Sequence, residues 1–153
     1  MSVTEILRQL TYSEVVNCRL HTAVVVERGR AAMSYGVHIE RFDAQGSHGI
    51  TLEEWLAYVR SDQEMHHIGE AVIKTSKGDT VRYDAPGMTE WIDPQTGHRS
   101  LFDHRKIKGT VSVGNPSREV LVKMFKVAKA LGAVVQGGQG EYYDASGNPI
   151  RSK

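Results

Sequence analysis

Residues 70–114 read EAVIKTSKGDTVRYDAPGMTEWIDPQTGHRSLFDHRKIKGTVSVG, and in this stretch short apolar segments alternate with turn residues. EAVIKT, TVRYD, MTEWID, HRSLF and TVSVG each have the length and composition of a β-strand. The breaks between them carry the Gly, Pro, Asp or Asn that hairpins require. Parallel pairing would need crossovers longer than these links. The stretch therefore predicts five successive antiparallel strands, with DHRKIKG as the last turn.

An amphipathic helix is predicted before these strands, in SHGITLEEWLAYV. Thr51 and Glu54 have the spacing of a capping box, in which each side chain bonds the backbone N–H of the other residue. Leu52, Trp55 and Val59 then recur at helical spacing. The pattern predicts a helix at about residues 51–60 with its apolar stripe toward a core.

A second helix is predicted after the strands, in GNPSREVLVKMFKVAKALGA. Asn115 is the expected N-cap, Pro116 the first helical residue and Gly132 the left-handed residue that follows the end. These signals predict a helix at about residues 116–131. Its buried stripe comprises Val120, Leu121, Met124, Val127, Ala128 and Leu131, and its solvent side comprises Lys123, Lys126 and Lys129.

The glycines at 137, 138 and 140 follow a short strand, AVVQ, and precede another, EYYD. A phosphate-binding loop would lead directly into a helix. We therefore expect these glycines to supply positive φ in a hairpin and not to hold a nucleotide. With YGVHIERF as a further strand, the sequence predicts an α+β fold: a single domain at residues 33–144 whose antiparallel sheet has about six to eight short strands. Residues 1–32 are interpreted as an N-terminal extension, and residues 145–153 as a flexible tail.

Composition is that of an ordinary globular chain, with 40% hydrophobic and 24% charged residues. The single cysteine, Cys18, cannot form an internal disulfide and is expected to be an inert thiol. No apolar run approaches the roughly 20 residues that span a bilayer. We therefore expect a cytoplasmic protein without a membrane partner.

Charge is segregated along the chain. Residues 33–93 contain eleven acidic and five basic residues, whereas residues 94–131 contain eight basic and two acidic residues. The acidic part also contains Trp91, which alternation places on the outer face of the sheet if Met88 and Ile92 face the core. An exposed tryptophan among carboxylates is typical of a protein-binding surface. The residues predicted to bind a partner protein are Trp91, Glu90, Asp93, Asp84 and Glu64, with Glu53 and Asp62 in the same acidic region.

Catalytic candidates are His98, Asp103 and His104, which bracket the segment RSLF. If Asp103 oriented His104, the imidazole could act as a general base, with Ser100 or Ser112 as a nearby hydroxyl. Neither serine has the context of a nucleophile elbow. The adjacent pair His66 and His67 would point in different directions, so we expect no metal site and no cofactor.

A basic set offers a third class of function. Phosphates could contact Arg105, Lys106 and Lys108 in the predicted turn and Lys123 and Lys126 on the second helix. The net charge of +1 and the lack of a recognised nucleic-acid module argue against this interpretation.

The segments MSYGVHIERF, GITLEEWLAYVRSD and KMFKVAKALGAVVQGGQGEYYD resemble small proteobacterial proteins that have no assigned activity. The resemblance covers nearly everything after Met33. It implies a compact α+β fold and a bacterial origin, and it implies no catalytic residue. In size such proteins resemble the immunity proteins of toxin systems.

The function favoured by the sequence is a non-catalytic protein-binding module, for instance an immunity-type protein that caps a toxin or another bacterial partner. One alternative is a small hydrolase or nuclease that uses the His/Asp cluster. The second alternative is nucleic-acid binding through the basic region at residues 99–129. The sequence specifies neither the partner nor the oligomeric state.

Overall fold

The computed structural model describes residues 35–42 and 49–151. The predictions for the extension at 1–32 and for Cys18 lie outside these residues. The first half comprises β1 (Gly36–Glu40), α1 (Leu52–Ser61), β2 (Met65–His67), β3 (Glu70–Lys74), β4 (Thr80–Asp84) and β5 (Met88–Ile92). The second half comprises β6 (Arg99–Arg105), β7 (Thr110–Gly114), α2 (Arg118–Ala130), β8 (Val134–Gly137), β9 (Tyr142–Tyr143) and β10 (Pro149–Ile150).

Eight of these strands form one antiparallel sheet in the order β10-β9-β8-β1-β7-β6-β5-β2, while β3 and β4 form a separate hairpin. The elements are those of an α+β fold, and the strands of residues 70–114 pair antiparallel as predicted. The main sheet has eight strands, within the six to eight expected, whereas the separation of β3 and β4 into their own two-stranded sheet was not predicted. The sequence also did not predict β2 and β10, which are too short to show a periodic pattern.

Helix α1 begins as the sequence predicts. The Thr51 hydroxyl accepts the backbone N–H of Glu54 at 3.2 Å, and the Glu54 carboxylate accepts the backbone N–H of Thr51 at 2.9 Å. Arg41 donates to both oxygens of that carboxylate, at 3.0 and 2.9 Å. The hydrogen bonds from Arg41 and from Thr51 lower the pKa of Glu54 to about 2. These contacts tie the end of β1 to the start of α1.

Helix α2 begins two residues later than predicted. Its N-cap is Ser117, whose hydroxyl accepts the backbone N–H three residues on at 3.4 Å. Asn115 instead has a φ of 45°, and its side-chain oxygen accepts the backbone N–H of Tyr35 at 2.9 Å. The prediction failed because Asn and Ser are equally good N-caps and only their tertiary contacts separate them. The helix ends at Ala130, and Gly132 has the expected left-handed φ of 64°.

The hydrophobic core lies between the two helices and one face of the eight-stranded sheet. Val37 and Ile39 of β1 and Phe102 of β6 are fully buried there. The ring of Trp55 on α1 stacks on that of Phe102, with 6.3 Å between the ring centroids. The stripe predicted for α2 is confirmed for Val120, Leu121, Met124, Val127 and Ala128, which are all buried.

The glycine bend joins β8 to β9 as a tight turn, as predicted. The N–H of Gly140 donates to the carbonyl of Gly137 at 3.1 Å. Of the three glycines only Gly140 has a positive φ, 84°. Gly137 has no positive φ but lies close to two side chains, and a Cβ there would overlap the Glu141 carboxylate and the Tyr35 hydroxyl. The expectation of positive φ at all three glycines was therefore wrong.

Residues 145–150, which were expected to belong to a flexible tail, form a turn and a short strand. The Asp144 carboxylate accepts the backbone N–H groups of Ser146 and Asn148 at 2.9 Å each and closes a turn. Pro149–Ile150 then pairs with Tyr142–Tyr143 as the edge of the sheet. The polar composition of this segment reflects turn chemistry.

Candidate functional site

One cleft brings together residues from several of the predicted sets. It has a volume of about 670 Å³ and lies between the turn after β4 and the end of β6 with its following turn. We call it the hairpin cleft. Its lining is mostly apolar and comprises Leu52, residues 83–88 and residues 103–108.

The first wall of the hairpin cleft is the turn between β6 and β7. The N–H of Gly109 donates to the carbonyl of Arg105 at 2.7 Å, and the Gly109 carbonyl accepts the N–H of Ile50 at 2.8 Å. Gly109 has a φ of 62°, and a Cβ there would overlap Gly49. The turn is thus pinned to the segment before α1. Its tip carries Ile107, which is fully exposed to solvent at 101%.

The second wall is the turn between β4 and β5. The indole N–H of Trp55 donates to the Gly87 carbonyl at 2.9 Å, and the Nε2 of His67 lies 2.7 Å from the Pro86 carbonyl. A Cβ at residue 87 would overlap the Cβ of His104 on the facing strand. Only glycine allows the two walls to approach this closely at that point.

His104 lies between the two walls and is only 7% exposed. Its Nε2 is 2.7 Å from the carbonyl of Ile50. A carbonyl can only accept, so Nε2 carries a proton and donates to it. Within the described part of the chain, Nδ1 has no hydrogen-bond partner. Unsatisfied buried polar atoms are rare, and this one belongs to a residue that lines the hairpin cleft.

The predicted pairing of Asp103 with His104 is wrong. Strand β6 extends through Arg105, so the two residues are neighbours on a strand and their side chains point to opposite faces of the sheet. His104 faces the core side, whereas Asp103 pairs in register with Ser112 on the other face. Burial raises the pKa of Asp103, although the charge of Arg105 acts against this. His98 is exposed in the turn before β6, about 17 Å along the strand from Asp103.

The Ser–His contact of the described residues is elsewhere, between Ser112 and His38 on β1. The Nδ1 of His38 and the hydroxyl of Ser112 are 2.6 Å apart. Burial, together with the charges of Lys108 and Arg105, lowers the pKa of His38. A neutral imidazole beside a hydroxyl could act as a general base for a serine nucleophile. Ser112, however, is only 1% exposed, so a substrate has no access to it.

Lys123 was expected on the solvent side of α2 but is only 6% exposed. Its ammonium donates to Asp62 at 2.7 Å and to Glu64 at 2.8 Å. These hydrogen bonds lower the pKa of Glu64, and they lower the pKa of Asp62 against the opposing effect of burial. We call Lys123, Asp62 and Glu64 the ion cluster. Because Lys123 is buried in the ion cluster, it is not available to a phosphate-binding surface.

Trp91 is 5% exposed and lies in the core, so it cannot be the exposed anchor of a partner-binding surface. Thr89 and Trp91 face the helices, which reverses the orientation considered from the sequence. The indole N–H donates to Glu64 at 2.9 Å, and the Lys123 ammonium lies 5.9 Å from the ring centroid. Trp91 therefore forms the apolar wall of the ion cluster.

The remaining predicted acidic residues do not form one surface. Glu90 is buried and lies 3.5 Å from Arg99. The buried carboxylate of Asp93 accepts the N–H of Gln95 and the hydroxyl of Thr96, which closes the turn between β5 and β6. Asp84 is exposed and lines the hairpin cleft, whereas the Glu64 side chain, 40% exposed, is held in the ion cluster.

The predicted basic residues divide into two groups. Arg105, Lys106 and Lys108 lie together at the hairpin cleft, where Lys106 and Lys108 are exposed on either side of Ile107. Lys126 is exposed on α2. Ile107 was not among the predicted site residues, although the pattern K-I-K inside a turn is a usable signal. An isoleucine there cannot be covered by its own strands.

Among the described residues, no group of three or more His, Cys, Asp or Glu side chains is arranged to hold a metal ion. Neither described helix has the length and apolar composition needed to cross a bilayer. In comparisons with known proteins, no family model, no curated protein and no solved structure matches this chain.

Proposed function

We propose that this protein is a non-catalytic binding module that holds an acidic segment of a partner protein at the hairpin cleft. The observation that carries the proposal is the fully exposed Ile107 between two exposed lysines, on a turn pinned beside an apolar cleft. The predicted class of function, a protein-binding module, is unchanged. The proposed binding surface is now the basic turn between β6 and β7 in place of the acidic residues. The proposal also keeps the prediction of a single domain, since one core joins both helices to the sheet.

The apolar part of the site supplies the driving force. Covering an isoleucine side chain that starts fully exposed contributes about 2 kcal/mol. The turn that carries Ile107 is held by backbone hydrogen bonds to Arg105 and Ile50, so little additional order is needed on binding. The cleft beside it is large enough to take an apolar side chain of the partner.

The charge of the rim selects the partner. Arg105, Lys106 and Lys108 contribute three positive charges, whereas Asp84 is the exposed carboxylate of the lining. Asp103 lies 3.8 Å from Arg105. The excess of positive charge favours an acidic segment and accelerates its association.

His104 supports the hairpin cleft from below. Its side chain is only 7% exposed, and its Nε2 lies 2.7 Å from the Ile50 carbonyl, so it holds the two walls in place.

Two more specific predictions belong to this proposal. An immunity-type protein that caps a toxin fits it if the toxin presents an acidic surface. The bacterial origin and the cytoplasmic location expected from the sequence are likewise proposed. The hydrolase or nuclease alternative has no support from His98, Asp103 and His104, which do not converge.

The test is selection of peptides from a random 12-residue library displayed on phage, using the full-length protein as bait and the Ile107→Ser variant for counter-selection. The proposal predicts enrichment of peptides with a net negative charge and one large apolar residue. Enrichment of basic peptides, or equal recovery on Ile107→Ser, would contradict it.

The affinity of the best peptide is then measured by fluorescence anisotropy at two salt concentrations. Ile107→Ser and Lys106→Ser should each weaken binding, by about tenfold for the isoleucine. Ile150→Ser and Lys126→Ser are matched controls, because both side chains are exposed outside the cleft lining. A 20-nucleotide single-stranded DNA should not compete, and full competition would favour the nucleic-acid alternative.

A further inference from the structure

A second pocket lies at the opposite edge of the sheet from the hairpin cleft, around the bend between β8 and β9. It has a volume of about 640 Å³, and its lining is mainly polar. We call it the tyrosine pocket. The lining residues that matter here are Tyr35, Gln139, Glu141, Tyr143, Pro149 and Arg151.

Three polar groups converge in this pocket. The Tyr143 hydroxyl donates to the Glu141 carboxylate at 3.0 Å, and the hydroxyls of Tyr35 and Tyr143 are 3.4 Å apart. Tyr143 has only one proton to donate, so Tyr35 is the donor in the second contact. The chain from Tyr35 through Tyr143 to Glu141 leaves lone pairs on the Tyr35 oxygen and on the carboxylate. These atoms can accept hydrogen bonds from a ligand.

The absence of a side chain at Gly137 leaves room for this convergence. A Cβ at residue 137 would overlap both the Tyr35 hydroxyl and the Glu141 carboxylate. The carboxylate is also held from the other side, where it accepts the backbone N–H of Gln139 at 3.1 Å. The backbone N–H of Gln139 and the Tyr143 hydroxyl thus both hold the Glu141 carboxylate in the pocket.

We infer that the tyrosine pocket binds a neutral, hydroxyl-rich ligand of the saccharide class. Its formal charges cancel, because Glu141 and Arg151 carry one charge of each sign, so the pocket has no net charge that would favour an anion or a cation. The Glu141 carboxylate accepts hydrogen bonds and the Arg151 guanidinium donates them. The hydroxyls on adjacent ring carbons of a sugar require both. The tyrosine rings and Pro149 offer apolar surface for the C–H face of such a ring. The volume lies within the range of small-molecule sites.

The protonation of Tyr143 is consistent with this assignment. Burial, aided by the hydrogen bond to Glu141, raises the pKa of its hydroxyl above the ordinary value. A tyrosine is protonated at neutral pH even without this rise, so the hydroxyl is available to donate to Glu141.

The test uses the full-length protein and saturation-transfer NMR with glucose, galactose, N-acetylglucosamine and maltose at millimolar concentrations. Tetramethylammonium and acetate serve as charged probes of similar or smaller size. We expect saturable binding of at least one saccharide and tighter binding of it than of either ion. If no saccharide gives a saturable signal, or if an ion binds more tightly, the inference is overturned.

Two variants connect the signal to the pocket. Tyr143→Phe keeps the ring and removes the hydroxyl, and it should weaken saccharide binding by about fivefold or more. Tyr142→Phe, one residue earlier on the same strand and outside the lining, should leave affinity unchanged. Arg151→Ala removes an exposed donor from the pocket and should also weaken binding, even if Tyr143→Phe does not fold. Unchanged affinity in folded Tyr143→Phe, or in Arg151→Ala, would contradict the assignment.

Discussion

The ion cluster and the β6–β7 turn use lysine in opposite ways. Lys123 is buried against Trp91 and holds two carboxylates within 2.8 Å. Lys106 and Lys108 are exposed on either side of an isoleucine that touches nothing below it. One region buries its lysine and most of Asp62, with Glu64 at the surface, and the other displays an apolar side chain among solvated charges. Position in the fold, and not residue type, separates the structural lysine from those available to a partner.

The largest effect expected from this comparison is on stability, at Lys123. Lys123→Met keeps the length of the side chain but leaves Asp62 and Glu64 without their cation. Removing one partner of a buried ion pair typically lowers the free energy of unfolding by about 3 kcal/mol. Urea unfolding followed by tryptophan fluorescence measures the change.

The matched control for this variant is Lys126→Met on the exposed side of the same helix. It should change the free energy of unfolding by less than about 0.5 kcal/mol. Equal effects of the two substitutions would mean that the ion cluster is not a structural unit.

A smaller loss of stability is expected at Gly87 in the wall of the hairpin cleft. Gly87→Ala places a methyl group against the Cβ of His104, and such overpacking costs about 2 kcal/mol. Gly138→Ala is the control, because its added Cβ would meet its nearest neighbour at 3.6 Å. Thermal unfolding of both variants measures the difference, and a neutral Gly87→Ala would show that the two walls are not in contact.

The stability that the ion cluster contributes is expected to depend on pH. The pKa values of Asp62 and Glu64 are lowered from 3.8 and 4.5, so the stability that the ion cluster contributes is complete above about pH 5. It is lost as the pH falls through the lowered values. The difference in free energy of unfolding between wild type and Lys123→Met should therefore shrink by about 1 kcal/mol or more between pH 7 and pH 3. Asp103, with its raised pKa, acts in the opposite direction but cancels between the two proteins.

Urea midpoints of both proteins at five pH values give this difference directly. A gap that stays constant down to pH 3 would show that Lys123 stabilises the fold by packing alone.

The smallest effect on stability is expected at Ile107. Ile107→Ser removes an apolar side chain that is exposed in the folded state, so the free energy of unfolding should change by less than about 0.5 kcal/mol. Urea unfolding of this variant measures it. A loss above 1.5 kcal/mol would mean that Ile107 packs inside the protein, which would remove the basis of the proposed function.

The sequence predicts elements well where local signals agree. The capping box of α1, the left-handed Gly132 and the antiparallel strands of residues 70–114 are confirmed because each depends on a few neighbouring residues. Asn115 and Ser117 show the limit, since both suit an N-cap and the contact of Asn115 with Tyr35 decides between them.

The surroundings of the site residues depend on contacts between residues far apart in sequence. The alternation of apolar and polar residues along one strand does not reveal these contacts. The pattern places Thr89 and Trp91 on one face of β5 but cannot say which face the helices cover. The burial of Lys123 could not be predicted either, because its partners Asp62 and Glu64 are about sixty positions away in sequence. The extension of β6 through Arg105, which separates Asp103 from His104, was hidden by the turn composition of DHRKIKG.

NMR chemical-shift mapping with an acidic peptide obtained by the selection described above shows whether the hairpin cleft is the binding surface. We expect the largest backbone shifts in residues 84–88 and 103–108, and we expect these shifts to disappear in Ile107→Ser. Shifts centred instead on α2 or on the acidic residues near Glu90, or shifts that persist in Ile107→Ser, would contradict the proposed function.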